Sequence, residues 1–493
     1  VKSDDVLDKT LNAMLATYDP HSNYYPPIDA IELNRQTTLQ LEGIGVSIRP
    51  ERGNEDYTKI ETIVEGGPAS KSGQVKSGDR IVGVAQEGGK MIDVVGWSSS
   101  EIVGLIRGKR GTKVTLKLLG AGASMSQARN VTLVRDVIQE EDAGVRSRTV
   151  EVTRDGKKHL LGVIEIPSFY FDYRSRRAGQ QYRSVSEDTA NAFEALKAKK
   201  VEGIIIDLRN DPGGSLEEVA RMLGQVIKSG PVVQIRDGNG NVSVFEDNDG
   251  GQQIYTGPLA VLVNLASASA SEIYSAAIQD YERGIIIGST TTGKGTAQVQ
   301  LDTLAYGQAT LTQRKFYRVT GGSTQNKGVV PDIKLVDIYN EEFGERKSKN
   351  ALKWDTIPTA PFKREGSVQP YVAKLSQLSE QRVAVDPQFK YLNKRTAIAK
   401  VTSDQKQVVL DIDKRRAELL SLEKQTLDAE NERRIATGQK PFPNWESYQA
   451  SLDALAESRA KMKANQRPAL PEEETFVNEA ANVLMDYAKL QNR

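Results

Sequence analysis

In the first stretch, DDVLDKTLNAMLATY, apolar residues return every three or four positions, which predicts a helix. The pattern breaks at DPHSNYYPP. From residue 41 to about 135 short apolar runs are cut by glycine, as in LEGIGVSI and VEGGPASKSGQVKSGDRIVGV, and a helical stretch starts at SSSEIVGLI. That segment reads as β-rich. Residues 136–345 alternate short, fully apolar runs with amphipathic ones. VEGIIIDLRNDPGGSLEEVARMLGQVI reads as strand, Gly-rich turn and helix. PLAVLVNLASASASEIYSAAIQDY repeats that plan, and RGIIIGS is a third strand. Strands alternating with helices predict right-handed βαβ units and a largely parallel sheet. GTAQVQLDTL alternates and is rich in β-branched residues, so it reads as a strand. ERKSKNALKWDTIPTAPFKREG reads as a linker, and the remainder, to residue 493, as long charged helices. The expected organisation is a helical lead-in at 1–40, a β-rich domain at 41–135, an α/β core at 136–345 and a helical domain at 346–493.

Composition narrows the function. The 493 residues allow roughly three domains. With 66 basic against 65 acidic residues, nothing argues for nucleic acid or an anionic membrane as partner. No apolar stretch is long enough to span a bilayer. The absence of cysteine excludes disulfides, thiolate metal sites and a cysteine nucleophile. The chain starts VKSDDVLDK, which suggests a processed or trimmed piece and leaves its compartment unread.

Candidate chemistry gathers at two small-residue turns that follow strands, where open α/β sheets place their sites. In NLASASASE, Ser267, Ser269 and Ser271 recur at every second position. Taken alone, such a run most simply serves packing or helix capping, with Ser271 a plausible cap-region residue. A serine nucleophile needs a base. The two histidines, His21 in DPHS and His159 in GKKHLLGVIEIP, have no nearby carboxylate pattern, so a Ser-His-Asp triad is not expected. A buried lysine serves instead, because burial disfavours its charged form. Lys294 lies between two glycines after an apolar strand, in GSTTTGKG. That stretch also resembles part of a phosphate loop. However, Gly295 stands where the Mg²⁺-binding hydroxyl belongs, and a strand follows where a helix should. Alternation puts Lys294, Thr296 and Gln298 on one face, where Gln298 can hold the amine without giving it a charge partner.

In the β-rich segment, Gly43, Ile44, Gly45 and Val46 form a turn whose N–H groups can converge on a carboxylate. With the downstream order GGPA, SG and GDRIV, the segment closely resembles a bacterial PDZ domain. Such domains capture a peptide C-terminus as an added strand.

SASASEIYSAAIQDYERGIIIGSTTTGKGTAQ and QRKFYRVTGGSTQNKGVVPDI resemble the carboxyl-terminal processing peptidases. ALKWDTI, the helical tail and DPHSNYYPP point to the tail-specific protease branch of Gram-negative bacteria. The resemblance implies a multidomain α/β protein: a crotonase-like Ser/Lys protease core with an inserted β-rich PDZ domain and a helical C-terminal domain. It implies a nucleophile 25 positions before Lys294, at Ser269, and a glutamine four after it, at Gln298. It also implies an oxyanion hole from the Ala270 N–H and one of Gly213 and Gly214. Substrates would be proteins with free, apolar, poorly folded C-terminal tails in the periplasm, without metal, cofactor or nucleotide, and a lipoprotein adaptor is a further implied partner. Two departures stand out: Ser289, Thr290, Thr291 and Thr292 replace the family's Glu-Pro-Thr-Phe, and Asp211 stands where Asn is common. They bear on rate and substrate preference. The charged tail helices read most simply as a scaffold, with adaptor docking the alternative. A PDZ scaffold that binds C-termini without cutting is the rival from another class.

Overall fold

The runs IIID (Ile204–Asp207), LAVLV (Leu259–Val263) and IIIG (Ile285–Gly288) are buried at every position in the computed structural model, as strands covered on both faces must be. It describes the chain apart from residues 1–2, 39, 52–53, 121, 140–143, 155, 178, 180–181, 247–252, 302–303, 340–342, 461, 463–468 and 492–493. The three runs lie parallel at the centre of a six-stranded sheet. Lys157–Glu165 continues the sheet in parallel and carries antiparallel Arg146–Arg154 at its edge, while Ile333–Lys334 closes the other side.

Helices Val185–Ala198, Leu216–Gly224 and Ala270–Asp280 provide the crossovers, and each starts after a serine. Ser184 and Ser215 accept the N–H groups of Glu187 and Glu218, as N-caps do. Ser269 heads the third helix in a capping box with Glu272, whose carboxylate accepts the Ser269 N–H.

A second sheet, antiparallel throughout, pairs Thr296–Leu301 with Gln308–Tyr317, and Pro231–Asp237 with both Gln308–Tyr317 and Val242–Glu246. Asn23–Tyr25, from the N-terminal segment, pairs with its Gln308 end. The last tail helix packs into the core. Phe476, Val477, Ala480 and Leu484 of helix Pro471–Gln491 share one apolar cluster with Leu161, Ile205, Leu262 and Ile287 of the parallel sheet. The approach is close enough that a Cβ on Gly203 would lie 2.7 Å from Leu484.

The chain forms two units, Val1–Pro26 with Asp142–Arg493, and Pro27–Glu141. Residues 1–26 therefore belong with the α/β unit, and 41 and 135 fall inside the second. The second unit is a sheet of Val46–Glu51, Asn54–Ile63, Arg80–Gln86, Lys113–Leu119 and Arg129–Val134, with Ile92–Asp93 beside Arg80–Gln86. Helix Ser99–Ile106 starts in a capping box between Ser98 and Glu101 and buries Ile102 and Ile106. Among the described residues no helix is long and apolar enough to cross a membrane.

Candidate active site

Strand Leu259–Val263 delivers the chain to residues 264–269, which turn it into helix Ala270–Asp280. The three serines of this turn differ in what their hydroxyls do. Ser267 is fully buried, donates to the Leu208 carbonyl (2.8 Å) and accepts the Asn264 N–H (3.0 Å). Ser271 is fully buried and donates to the Asp211 carbonyl (2.9 Å). Both fasten this turn to the one following Ile204–Asp207. Ser269 is half-buried, and outside its capping box its Oγ donates to no acceptor among the described residues. Its φ of +55° is a conformation that costs a non-glycine residue about 1–3 kcal/mol, of the kind stored at functional turns.

Lys294 follows Ile285–Gly288 in an irregular turn that runs into Thr296–Leu301. No helix follows it, so no helix N-terminus is available for a phosphate. The serine and lysine turns are joined by one fully buried carboxylate, Glu272. Its Oε2 accepts the Ser269 and Lys294 N–H groups, both at 2.9 Å. Its Oε1 accepts the Gly293 N–H at 2.7 Å and the Thr291 hydroxyl at 2.5 Å. Burial pushes Glu272 up to about 7, with the four donors pulling the other way. The Ser-Thr run thus has a local use: Thr291 serves Glu272, Ser289 donates to Asp337, and Thr292 donates to the Leu265 carbonyl.

Burial holds the Lys294 amine below the usual lysine range, opposed by the carboxylates of Glu345, Glu272 and Asp19. The expected hydrogen bond from Gln298 is not present. Its Nε2 donates instead to Thr296 Oγ1 (3.0 Å) and Thr312 Oγ1 (2.9 Å), beside a bulge between Ala297 and Gln298. Two threonine hydroxyls occupy the amide, and the charges acting on the amine are those of carboxylates. Among the described residues Ser269 Oγ and Lys294 Nζ are not hydrogen-bonded to each other; Glu272 ties their backbones.

Gly213 lies against the serine turn, whereas Gly214 lies against the Phe169 backbone. A Cβ on Gly213, whose φ is +103°, would lie 2.8 Å from Ser269 Cβ and 2.9 Å from the Ala270 nitrogen. A Cβ on Gly214 would lie 2.3 Å from the Phe169 carbonyl oxygen. The Gly213 N–H donates to Asp211 Oδ1 (2.8 Å). The N–H groups of Gly214 and Ala270 have no protein acceptor among the described residues. Asp211 is fully buried, and its Oδ2 has no partner. Burial holds its carboxyl well above the usual range.

His21 differs from expectation, since it does have a carboxylate partner. Its Nε2 lies 2.7 Å from Glu345 Oε2, 324 residues away in sequence. His159 pairs with Glu202 at the surface. Sequence reasoning also missed Glu272, although Ser269-Ala-Ser-Glu272 has capping-box spacing, a readable signal.

In the second unit, Gly43, Ile44, Gly45 and Val46 line a cleft with Ile48, Val103, Ile106 and Arg107. The Ile44 and Gly45 carbonyls are held by Ala69 and Val64 N–H groups, both at 2.9 Å, and Gly45 takes a φ of +77°. The N–H groups of Ile44 and Gly45 have no acceptor among the described residues. Val46–Glu51 ends its sheet, leaving an edge to which a further strand can add.

Three family profiles match in succession: PDZ domain at 32–119, peptidase family S41 at 160–335, and the C-terminal domain of tail specific protease at 338–489. The chain is 40% identical over 465 residues to the tail-specific protease of Haemophilus influenzae, across 92% of this chain and 64% of that protein. It is 31% identical to carboxy-terminal processing protease CtpA of Bacillus subtilis, across 68% of this chain and 65% of that one. The chain thus spans a little under two thirds of each of these relatives. Among solved structures, the photosystem II D1 C-terminal processing protease is 26% identical with a TM-score of 0.38, over 71% of this chain and 88% of that one. A PDZ domain of a Vibrio cholerae carboxy-terminal protease in complex with peptide is 47% identical over 20% of this chain and 99% of that one, with a TM-score of 0.19. The order of the profiles and the identity along the chain place it in peptidase family S41, among proteins built from a PDZ domain, an S41 core and a tail-specific protease C-terminal domain.

Proposed function

We propose that the chain is a serine endopeptidase that takes proteins by free, apolar C-terminal tails and cuts them with a Ser269/Lys294 dyad, in the periplasm. The observation that carries this reading is the shared Glu272 carboxylate. It brings the backbone of the one serine of this turn whose hydroxyl donates to no acceptor among the described residues to the backbone of a lysine whose amine burial pushes toward the neutral form.

In this reading Ser269 Oγ attacks the peptide carbonyl while its proton passes to Lys294 Nζ. The oxyanion meets the N–H groups of Ala270 and Gly214, because the Gly213 N–H is already bound to Asp211. Lys294 then gives its proton to the departing amine, and water resolves the ester. Asp211 is a mild departure on these terms. A protonated carboxyl has nearly the shape of the asparagine it replaces and still accepts the Gly213 N–H. Gln298 acts at one remove, ordering Thr296 and Thr312 beside the lysine strand.

The test is incubation with an unstructured protein ending in a free apolar tail, read by mass spectrometry, together with labelling by a fluorophosphonate. New internal cleavage products and label on Ser269 are expected. Intact substrate and no label would leave the non-cutting scaffold as the better reading. The cleft makes a separate prediction. On the full chain carrying Ser269→Ala, a peptide with a free C-terminus should bind clearly more tightly than its amide, because N–H groups aimed at an anion lose charge-assisted bonds to an amide. Equal affinities by calorimetry would remove the carboxylate role of Gly43–Val46.

A further inference from the structure

The turn Asp19–Ser22, far from the dyad in sequence, is built around a buried carboxylate. Asp19 Oδ1 accepts the N–H groups of His21 (2.7 Å) and Ser22 (3.0 Å), and the Thr312 hydroxyl (2.9 Å). Its Oδ2 accepts the Ser22 hydroxyl (2.6 Å). These bonds fix the His21 backbone, and the His21 imidazole reaches Glu345 Oε2 at 2.7 Å.

Glu345 is only 2% exposed and holds the lysine turn on both flanks. On one flank its N–H donates to the Thr292 carbonyl (2.9 Å). On the other, its Oε1 accepts Gln325 Nε2 (2.8 Å), and Gln325 Oε1 accepts the Gly295 N–H (2.7 Å). Lys294 sits between these two anchor points. Glu345 is thus a buried carboxylate tied to both flanks of the lysine turn, with both its oxygens already engaged.

We propose that Glu345, oriented by His21 and Gln325, is the positioning residue of Lys294: it clamps the lysine turn at Thr292 and Gly295 and supplies the negative charge that the amine needs once it has taken the serine proton. This rests on Lys294 being the base. A buried ammonium with no counter-charge is costly to form, so the proton transfer is easier with a carboxylate in place. A carboxylate with two free oxygens would hold the lysine charged and stop it acting as a base. The bonds from His21 and Gln325 draw off part of that pull. The groups facing Lys294 are Glu345, Glu272 and Asp19, with Glu345 the largest upward influence on its proton affinity and burial the larger opposing one. His21 faces Glu345 in turn.

The experiment is the pH dependence of kcat and KM on an unstructured peptide for wild type, Glu345→Gln, Lys294→Ala and the surface control His159→Ala, with a thermal melt of each. Wild-type activity should rise with pH as the base deprotonates. Glu345→Gln should melt cooperatively, lower kcat about tenfold or more with KM little changed, and move the midpoint of the rise down by about one pH unit, the effect of losing a nearby opposite charge. His159→Ala should leave both unchanged. A folded Glu345→Gln with an unmoved midpoint would overturn the proposal, whatever happens to kcat. If Glu345→Gln does not melt cooperatively, His21→Asn replaces it, leaving the carboxylate without its imidazole partner: a moved midpoint supports the proposal and an unmoved one overturns it. An active Lys294→Ala would instead remove the base assignment itself, which separates the two failures.

Discussion

Lys294→Met is expected to end cleavage while leaving the protein at least as resistant to heat as wild type. Loss of a general base costs several orders of magnitude in turnover, and what remains rests on binding and the oxyanion hole. The stability side follows from linkage. Burial lowers the proton affinity of Lys294 in the folded protein, while the unfolded chain keeps the ordinary lysine value of about 10.4. The folded state therefore binds fewer protons, and folding carries a penalty that is full below the folded pKa and fades as pH rises toward the unfolded one. Methionine, similar in length and uncharged, removes that penalty. The gain in melting temperature should be largest at acid pH and vanish in strong alkali. A variant that still cleaves within tenfold of wild type, or that melts lower at acid pH, would contradict this account.

Glu272→Ala should be the most damaging substitution near the site for fold and activity together. It removes the acceptor of four donors, two of them in fully buried bonds from Thr291 and Gly293. Each buried donor left without a partner costs about 1–3 kcal/mol. It also cuts the tie between the Ser269 and Lys294 backbones. A drop in stability on the order of 3 kcal/mol or more and undetectable cleavage are expected, read by denaturant melts and the peptide assay. Glu272→Gln separates charge from shape. Folding raises Glu272 from about 4.5 to about 7, so stability from this group is full below 4.5 and lost as pH rises through 7. Glutamine does not ionise, so its deficit against wild type should narrow by about 3 kcal/mol between those limits. A deficit that stays constant with pH would mean that burial does not govern this carboxyl.

The parts legible in the chain were those with local signals. IIID, LAVLV and IIIG announce a buried parallel sheet by composition, and the residues after them announce the turns. Ser269 was paired with Lys294 only through the resemblance, which implies a nucleophile 25 positions before the lysine. Gln298 was expected to reach the Lys294 amine, but its amide donates to Thr296 and to Thr312, and Thr312 belongs to a neighbouring strand that nothing local reports. Glu345 and His21 were illegible for the same reason in stronger form: their contact joins the turn after the first helix to the approach to the tail helices. The edge strand Asn23–Tyr25 was hidden too, because three residues carry no periodicity of their own. Burial, which decides the protonation of Lys294, Asp211 and Glu272, exists only once these distant pieces have met.

The shared apolar cluster of the parallel sheet and helix Pro471–Gln491 has a consequence for the order of events at the ribosome. Ser269 and Lys294 emerge while the sheet face bearing Leu161, Ile205, Leu262 and Ile287 still lacks Phe476, Val477 and Leu484 to cover it. At ordinary translation rates that interval lasts on the order of ten seconds or more. The clamp from Glu345 is missing for part of it. The unit Pro27–Glu141 has an apolar cluster of its own and needs none of these later residues. On the proposed function, the unit that would hold a tail is complete before the core that would cut it, so a half-made copy would be poorly equipped to digest its neighbours.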